Sequence, residues 1–579
     1  MTGARRVEQI VTDEPNPAHL LRLSRAFCRA LHWVAVVWSL VVIVLLALAQ
    51  WLDLLAHRPG GAAFAIAERP VFMALFAVGV LLALKWEIVG GSIAAFTAAA
   101  LVVFAGEQLK LGTAIVVVVA FAIPALMWVL IDLNDQPPRR ALLGLVVAGT
   151  AVLSGGVVAE EIYDGLFGPS HPESEIEALP ESPLDWVWSG AVTSTSFEVV
   201  AKVDDDADRV RLGVSARVDM IDAVFSSAVP RGDHGLVRLA IDGLEPGRQY
   251  FYAVEIDGAF DMVRAGTVAT FPSAPSSFTV AVGSDARTGS NGSVYDTIRE
   301  IAPLLFLVPG DFHYGDVEED DRGQFEDVLD LTLSRPAQAA LYRSVPVAYV
   351  WDDHDFAGND SGPEVESAPI ALESYLRYVP HYPLGGPGPA IHQAFSIGRV
   401  RFIMTDGRSA RSAASAPDDA AKSMLGSAQK QWFKDELLRS VATHELIVWV
   451  NPQPWIGPAQ LGGDDWSGYT TERQEIADFI ADNGIDSLMM VSGDAHMLAI
   501  DDGTNSDYST AGIGGFPVVH AAALDRPGSV KGGPFSEGTF PGSGQFALLT
   551  FSDEGRSVSV EISGRNHLDE EIVSYRFGP

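Results

Sequence analysis

Cysteine is almost absent: the 579 residues hold one, Cys28. Everything after it lacks a disulfide and a thiolate, so metal chemistry there rests on oxygen and nitrogen donors. A domain of several hundred residues folds without disulfides because its core is large. Basic residues are also few. There are 39 Lys and Arg against 74 Asp and Glu, a formal charge of −35. A nucleic-acid binder needs cations clustered on one face to displace counterions from phosphates. The chain has no such cluster beyond short stretches beside its apolar runs, so no nucleic-acid partner is expected. The third absence is positional. Long apolar runs crowd the first 160 residues and are missing from the rest, where the acidic residues gather.

Five apolar runs stand out: roughly Leu31–Leu55, Val71–Leu84, Ile88–Ala105, Thr113–Leu133 and Ala141–Val158. Crossing hydrocarbon takes about 20 apolar residues, so the runs predict an α-helical transmembrane bundle over residues 1–160. The alternative, core helices of a soluble domain, is disfavoured by how little polar face they leave. Arg5, Arg6, Arg22, Arg25 and Arg29 precede the first run, Lys85 lies in the second turn, and Arg139 and Arg140 precede the fifth. The other loops hold only Arg58, Arg69 and Lys110. Cations favour the cytoplasmic side. The expectation is a multi-pass plasma-membrane protein with a cytoplasmic N-terminus, a bilayer partner and an extracytoplasmic C-terminal half. No intramembrane charge cluster suggests transport.

Residues 161–183 read as a linker, rich in Pro, Glu and Ser. Residues 184–275 then show short alternating runs: Trp186–Trp188, Ser196–Val203, Val210–Val214, Leu236–Ile241, Tyr250–Ile256 and Gly266–Phe271. Period-two alternation between turns predicts a β-sandwich. Within it, Gly243-Leu-Glu-Pro-Gly-Arg-Gln-Tyr-Phe-Tyr252 resembles the corner of a fibronectin type III module, where a Leu fills the core and a Tyr hydroxyl bonds back to the turn.

Residues 276–579 change to alternating strands and helices. Strand-length runs are Phe278–Val282, Leu304–Val308, Val345–Trp351, Val400–Met404, Leu446–Val450 and Ile485–Val491. Helical segments include Val294–Ile301, Gln324–Tyr342, Ala428–Leu438 and Glu472–Asp482. This predicts an α/β domain. Each strand run is followed by polar residues: Ser284-Asp285, Asp311-Phe-His313-Tyr314-Gly-Asp316, Asp352-Asp353-His354-Asp355, Asp406-Gly-Arg408, Asn451, and Asp494-Ala-His496. Sites form at the carboxyl ends of strands in such sheets. Converging carboxylates repel one another unless cations compensate them. Two metal ions do so, and a metal pair suits phosphate-ester hydrolysis.

Gly310-Asp311-Phe-His-Tyr314, Trp351-Asp-Asp-His-Asp355, Asp406-Gly-Arg408, Ser492-Gly-Asp-Ala-His496 and Leu425-Gly-Ser-Ala-Gln-Lys-Gln-Trp432 resemble the motifs of the alkaline phosphatase D (PhoD-like) family. The resemblance covers roughly residues 180–579. It implies the four-layer metallophosphoesterase sandwich, related to purple acid phosphatases, and a phosphomonoesterase or phosphodiesterase activity on a phosphate-ester substrate. It implies that Asp311 bridges two metals, that Tyr314 is a phenolate ligand, and that Asp353, Asp494 and His496 are further ligands. His354 is implied to meet the phosphate or leaving group, and Arg408 is a candidate phosphate clamp, with pairing to Asp406 as the alternative. Asn451 stands where the wider superfamily often has a metal-binding His. His313 and Asp316 remain unassigned.

One departure bears on the cofactor. The family commonly has Cys where this chain has Asp285. Iron and calcium are implied by the family, but an oxygen donor there opens the site to Mn or Zn. Two other readings stand beside the first: a phospholipid or cell-wall polymer phosphodiesterase, and a non-catalytic surface protein with a degenerate site.

Overall fold

The computed structural model describes residues 25–55, 74–108, 122–131, 146–154, 172–521 and 523–578. The chain forms two compact units, one of Met1–His57 with Ala63–Tyr163, the other of Arg58–Ala62 with Asp164–Pro579.

The first unit is helical where described. Helices Arg25–Leu55 and Glu87–Gln108 join shorter helical stretches around a small-residue core that includes Ala35, Phe76, Val80, Ala83, Ala94 and Trp128. Gly90 permits the closest approach, since a Cβ there would meet the Ala83 nitrogen at 2.3 Å. The transmembrane bundle expected from the five runs is not supported. Among the described residues, no helix is long and apolar enough to cross a membrane. Apolar runs count composition, whereas a span needs about 20 residues that are both helical and apolar together. Described side chains cover 26–41, 74–86, 88–100, 122–131 and 146–154, and a turn at Leu84–Lys85 interrupts the second run before the third. The multi-pass plasma-membrane location, its orientation and the bilayer partner fall with the bundle. Arg5, Arg6, Arg22, Arg58, Arg69, Lys110, Arg139 and Arg140, which set that orientation, lie outside the described residues, as does the linker before residue 172.

In the second unit a nine-stranded sheet has at its centre three parallel strands, Phe278–Val282, Leu305–Pro309 and Val347–Val350. The antiparallel strands Gln545–Asp553, Val558–Asn566 and Glu571–Phe577 extend one side. Leu184–Gly190, Phe197–Val203 and Leu236–Ile241 extend the other. A seven-stranded sheet has its own parallel run, Val400–Met404, Leu446–Val450, Leu488–Ser492 and Val518–Ala521.

Strand alternation decides the layering. Phe402, Val448, Val450, Met489 and Val491 share one core with the nine-stranded sheet. Their neighbours Ile403, Ile447, Trp449, Leu488 and Met490 share another with helices Gly426–Val441 and Thr470–Asp482. Phe551 meets Phe402 between the sheets, while Phe306, on the opposite face, stacks on Tyr342 of helix Pro336–Ser344. The sheets therefore lie face to face with helices on their outer sides, a multi-sheet α/β fold. The helix read as Gln324–Tyr342 is two, Arg322–Ser334 and Pro336–Ser344. Pro336 takes the first helical position and holds Arg335 extended.

The β region before the α/β part is not a free-standing sandwich. Its three-stranded half continues the nine-stranded sheet through a parallel pairing, Gly190 opposite Val347. Gly190 allows it, because a Cβ would lie 2.5 Å from the Val347 carbonyl. Its other sheet is built on Val210–Ser215 and Gln249–Ile256. In the corner, Leu244 is buried and the Tyr250 hydroxyl accepts from the Glu245 N–H at 2.9 Å.

Candidate metal centre

The two parallel runs bring their carboxyl ends together. The nine-stranded sheet delivers Asp285, Asp311, Asp352 and Asp353, and the seven-stranded sheet delivers Asp406, Asn451, Asp494 and His496. The backbone turns sharply at each exit. Asp285, Asp311, Asp494 and His496 have φ of 60, 50, 61 and 50°, left-handed values for which Asp and His are enriched. Asp494 and His496 are thus not in an extended stretch, and they serve different groups of ligands. Gly310 is fixed by its φ of +96° and by the Asp352 Cβ, which an added Cβ would meet at 2.6 Å. Gly310→Ala is expected to cost about 2–4 kcal/mol, a left-handed penalty plus an overpacked contact. Chemical denaturation checks this, and a variant as stable as the native chain would refute it.

Four groups of side chains present ligand atoms within 4.8 Å of one another: Asp285, Asp311 and His496; Asp311, Asp353 and His354; Asp352, Asp353 and Asp494; and Asp353, Asp360 and Asp464. Asp311 belongs to the first two, and both its oxygens are buried without a hydrogen-bond partner. Burial first, then the neighbouring Asp353, Asp285, Asp352 and Asp355, push its pKa far above the usual carboxylate range. A buried carboxylate with two orphaned oxygens among other carboxylates is suited to bind a cation. The donor set of oxygen and imidazole nitrogen fits divalent or trivalent metals.

The remaining predicted residues are placed as follows. Burial opposes ionisation of Asp285, but His496, the Ser284 hydroxyl and Lys531 outweigh it and hold its pKa below normal. Ser284 Oγ donates to Asp285 Oδ2 at 2.6 Å. Tyr314 Oη lies 3.1 Å from Asp285 Oδ1 and 2.8 Å from His496 Nε2. His496 Nδ1 lies 2.9 Å from the Pro527 carbonyl. A carbonyl only accepts, so Nδ1 carries the proton and Nε2 keeps its lone pair toward the site. Burial also opposes ionisation of Asp353, yet Arg408, His354 and Lys531 hold it ionised. His354 Nδ1 is 2.6 Å from Asp316 Oδ1. Burial works against the imidazolium, but Asp353 and Asp316 raise its pKa above normal.

Arg408 is fully buried. Its Nε donates to Asp352 Oδ1 at 2.5 Å and its Nη1 to Asp464 Oδ2 at 2.7 Å. Its guanidinium is not paired to Asp406, which instead accepts from the Arg408 and Ser409 backbone N–H groups. Gln429, from the Leu425–Trp432 motif, holds that turn, bonding both the Asp406 N–H and carbonyl at 2.7 Å. Asn451 has both ends of its amide occupied, donating to the Gln453 carbonyl at 2.5 Å and accepting from Trp466 Nε1 at 3.1 Å. His313 stands outside the four groups, and burial pushes its pKa down to about 4.

Sequence reading missed Asp360, Asp464, Lys531 and Arg526. Lys531 donates to Asp494 Oδ1 at 2.6 Å. It comes from a Gly- and Pro-rich loop with neither helical nor strand period. Its signal was chemical: two cations in a turn-rich segment of a strongly acidic chain.

Comparison with known proteins agrees with this geometry. Residues 278–515 match the PhoD-like phosphatase family. Alkaline phosphatase D of Bacillus subtilis (strain 168) is 22% identical over 315 residues, covering 45% of this chain and 53% of that protein. The chain thus spans about half the length of that curated relative. A solved structure of PhoD superposes with a TM-score of 0.54 at 15% identity, covering 70% of this chain and 93% of that one. A purple acid phosphatase from yellow lupin (Lupinus luteus) seeds gives a TM-score of 0.50 at 13% identity, covering 69% and 74%. At these identities the structures speak for the fold. The family match and its motifs make residues 278–515 similar to PhoD-like phosphatases, with the N-terminal unit outside the resemblance.

Proposed function

We propose that the chain is a metal-dependent phosphoesterase acting through a dinuclear centre bridged by Asp311. The observation that carries this is the buried, unpartnered Asp311 carboxylate shared by two groups of ligands. In this reading Asp285, Tyr314 and His496 complete one metal's set, and Asp353 and Asp494 serve the other. A bound metal pair would neutralise these carboxylates and polarise the phosphoryl group and the attacking water. Arg408 holds the Asp352 and Asp353 carboxylates in place from behind. His354 donates Nδ1–H to Asp316, so its Nε2 is the nitrogen left for the substrate, and it can give a proton there only from the imidazolium form, which Asp353 and Asp316 favour. Asn451 braces the strand end through Trp466. An oxygen donor at Asp285 favours Mn or Zn alongside iron at the first metal.

The test is metal removal. Dialysis against a chelator should abolish hydrolysis of nitrophenyl phosphate and bis-nitrophenyl phosphate. Readdition of Mn, Zn, or Fe with Ca should restore it in proportion to bound metal. Full activity in a metal-free sample would exclude this reading, and the ratio of the two ester rates assigns mono- or diester preference.

A further inference from the structure

We propose that Arg526 binds the non-bridging oxygens of the substrate phosphate, an inference that rests on the phosphoesterase reading. The segment after Val518–Ala521 lies beyond the family-matched residues 278–515, yet it walls the site. The Pro527 carbonyl orients His496, and the Ser529 N–H and hydroxyl bond the His496 and Ala495 carbonyls, each at 2.9 Å. Lys531 pairs with Asp494, and the Arg526 N–H donates to the Asp285 carbonyl at 3.2 Å. The backbone of Arg526 is therefore tied directly to one of the proposed ligands.

Its side chain is set apart from the other cations of the site. Arg408, Arg411 and Lys531 each pair with a carboxylate. Among the described residues the Arg526 guanidinium has no such partner, and its Nε is buried without a hydrogen bond. Its central carbon sits 4.1 Å from the centroid of the Tyr314 ring, and the His354 ring lies 4.0 Å from the same centroid. The aromatic face holds the planar cation in one orientation while leaving its donors unused. Arg526 is only partly buried, so a ligand can reach it. A guanidinium fork held over Tyr314, beside His354 and the residues proposed to hold metal, matches two phosphate oxygens. The fully buried Arg408 instead has its Nε and Nη1 committed to Asp352 and Asp464.

The test uses the metal-loaded full chain and the variants Arg526→Ala and Arg526→Lys, with inorganic phosphate as the probe. Arg526→Ala should keep the native metal content. It should weaken phosphate binding, by calorimetry and as a competitive inhibitor, about 10- to 100-fold, the loss of one charge-assisted hydrogen-bonded contact. The value of kcat/KM should fall in parallel. Arg526→Lys restores charge but not the fork and should recover only part of the binding. Phosphate binding within about twofold of native in Arg526→Ala would overturn the inference, at the scale of surface substitutions. So would loss of metal in both variants, since Arg526 would then be structural. Absence of turnover by the native, metal-loaded chain would instead overturn the phosphoesterase reading, while calorimetry still decides Arg526.

Discussion

Asp311→Asn is expected to empty the centre of metal and to lower activity about a thousandfold or more, the scale of losing a dominant electrostatic contribution. The same substitution should raise the melting temperature of the metal-free protein by a few degrees. These opposite effects have one cause. Asp311 is buried, its two oxygens have no protein partner, and Asp353, Asp285, Asp352 and Asp355 crowd it. With metal bound the carboxylate is compensated. Without metal, burial and its like-charged neighbours keep it from ionising in the folded chain. Its folded-state pKa is raised, so the unfolded chain ionises first. Apo stability should therefore fall as pH rises above about 4, where the unfolded carboxyl ionises, until the folded pKa is reached. Asn cannot ionise, and the variant should lack that decline. Metal analysis, kcat/KM and apo melting curves between pH 4 and 8 check each part. Retained metal would remove Asp311 from the bridge, and an unchanged or lower apo melting temperature would show that its charge is compensated within the protein.

The legible part of the site was the part written in strand-to-loop order. Five of the six strand runs that end at the site kept their limits or moved by a residue or two, because buried parallel strands read as continuous apolar runs. The carboxylates that follow them then arrived at one edge. What was illegible depended on contacts distant in sequence. Nothing local shows that Arg408 is sealed between Asp352 and Asp464. Nothing local shows that Pro527 fixes the tautomer of His496. The strands Gln545–Asp553, Val558–Asn566 and Glu571–Phe577 also went unread, because their alternating patterns follow a loop that carries no period. The N-terminal runs failed for a different reason. Composition supplied apolar runs, but among the described residues no helix is long and apolar enough to cross a membrane.

His354→Ala is expected to keep the metals and to lose about 100- to 10,000-fold in kcat/KM on an alkyl phosphate, the range for a lost general acid. On nitrophenyl phosphate the loss should be far smaller, because that leaving group departs without a proton. Asp353 and His354 lie in a one-turn helix, Asp353–Phe356, and not in extended chain. Adjacent helical side chains diverge by about 100°, so one can face the centre and the other the substrate. The Asp360 N–H fixes Asp353 Oδ2 at 2.7 Å, and Asp316 fixes His354 Nδ1 at 2.6 Å. Because His354 also lies within ligand range of Asp311 and Asp353, metal content is the deciding measurement. A variant that loses a metal makes His354 a ligand, and equal losses on both esters make its role electrostatic. Asp316→Asn adds an independent check, since it leaves the imidazole in place and removes one of the charges that raise its pKa. His354 acts in its protonated form, so activity falls as pH rises through that pKa. Removing Asp316 should bring the alkaline fall to lower pH. An alkaline limb that stays in place in Asp316→Asn would show that another group supplies the proton.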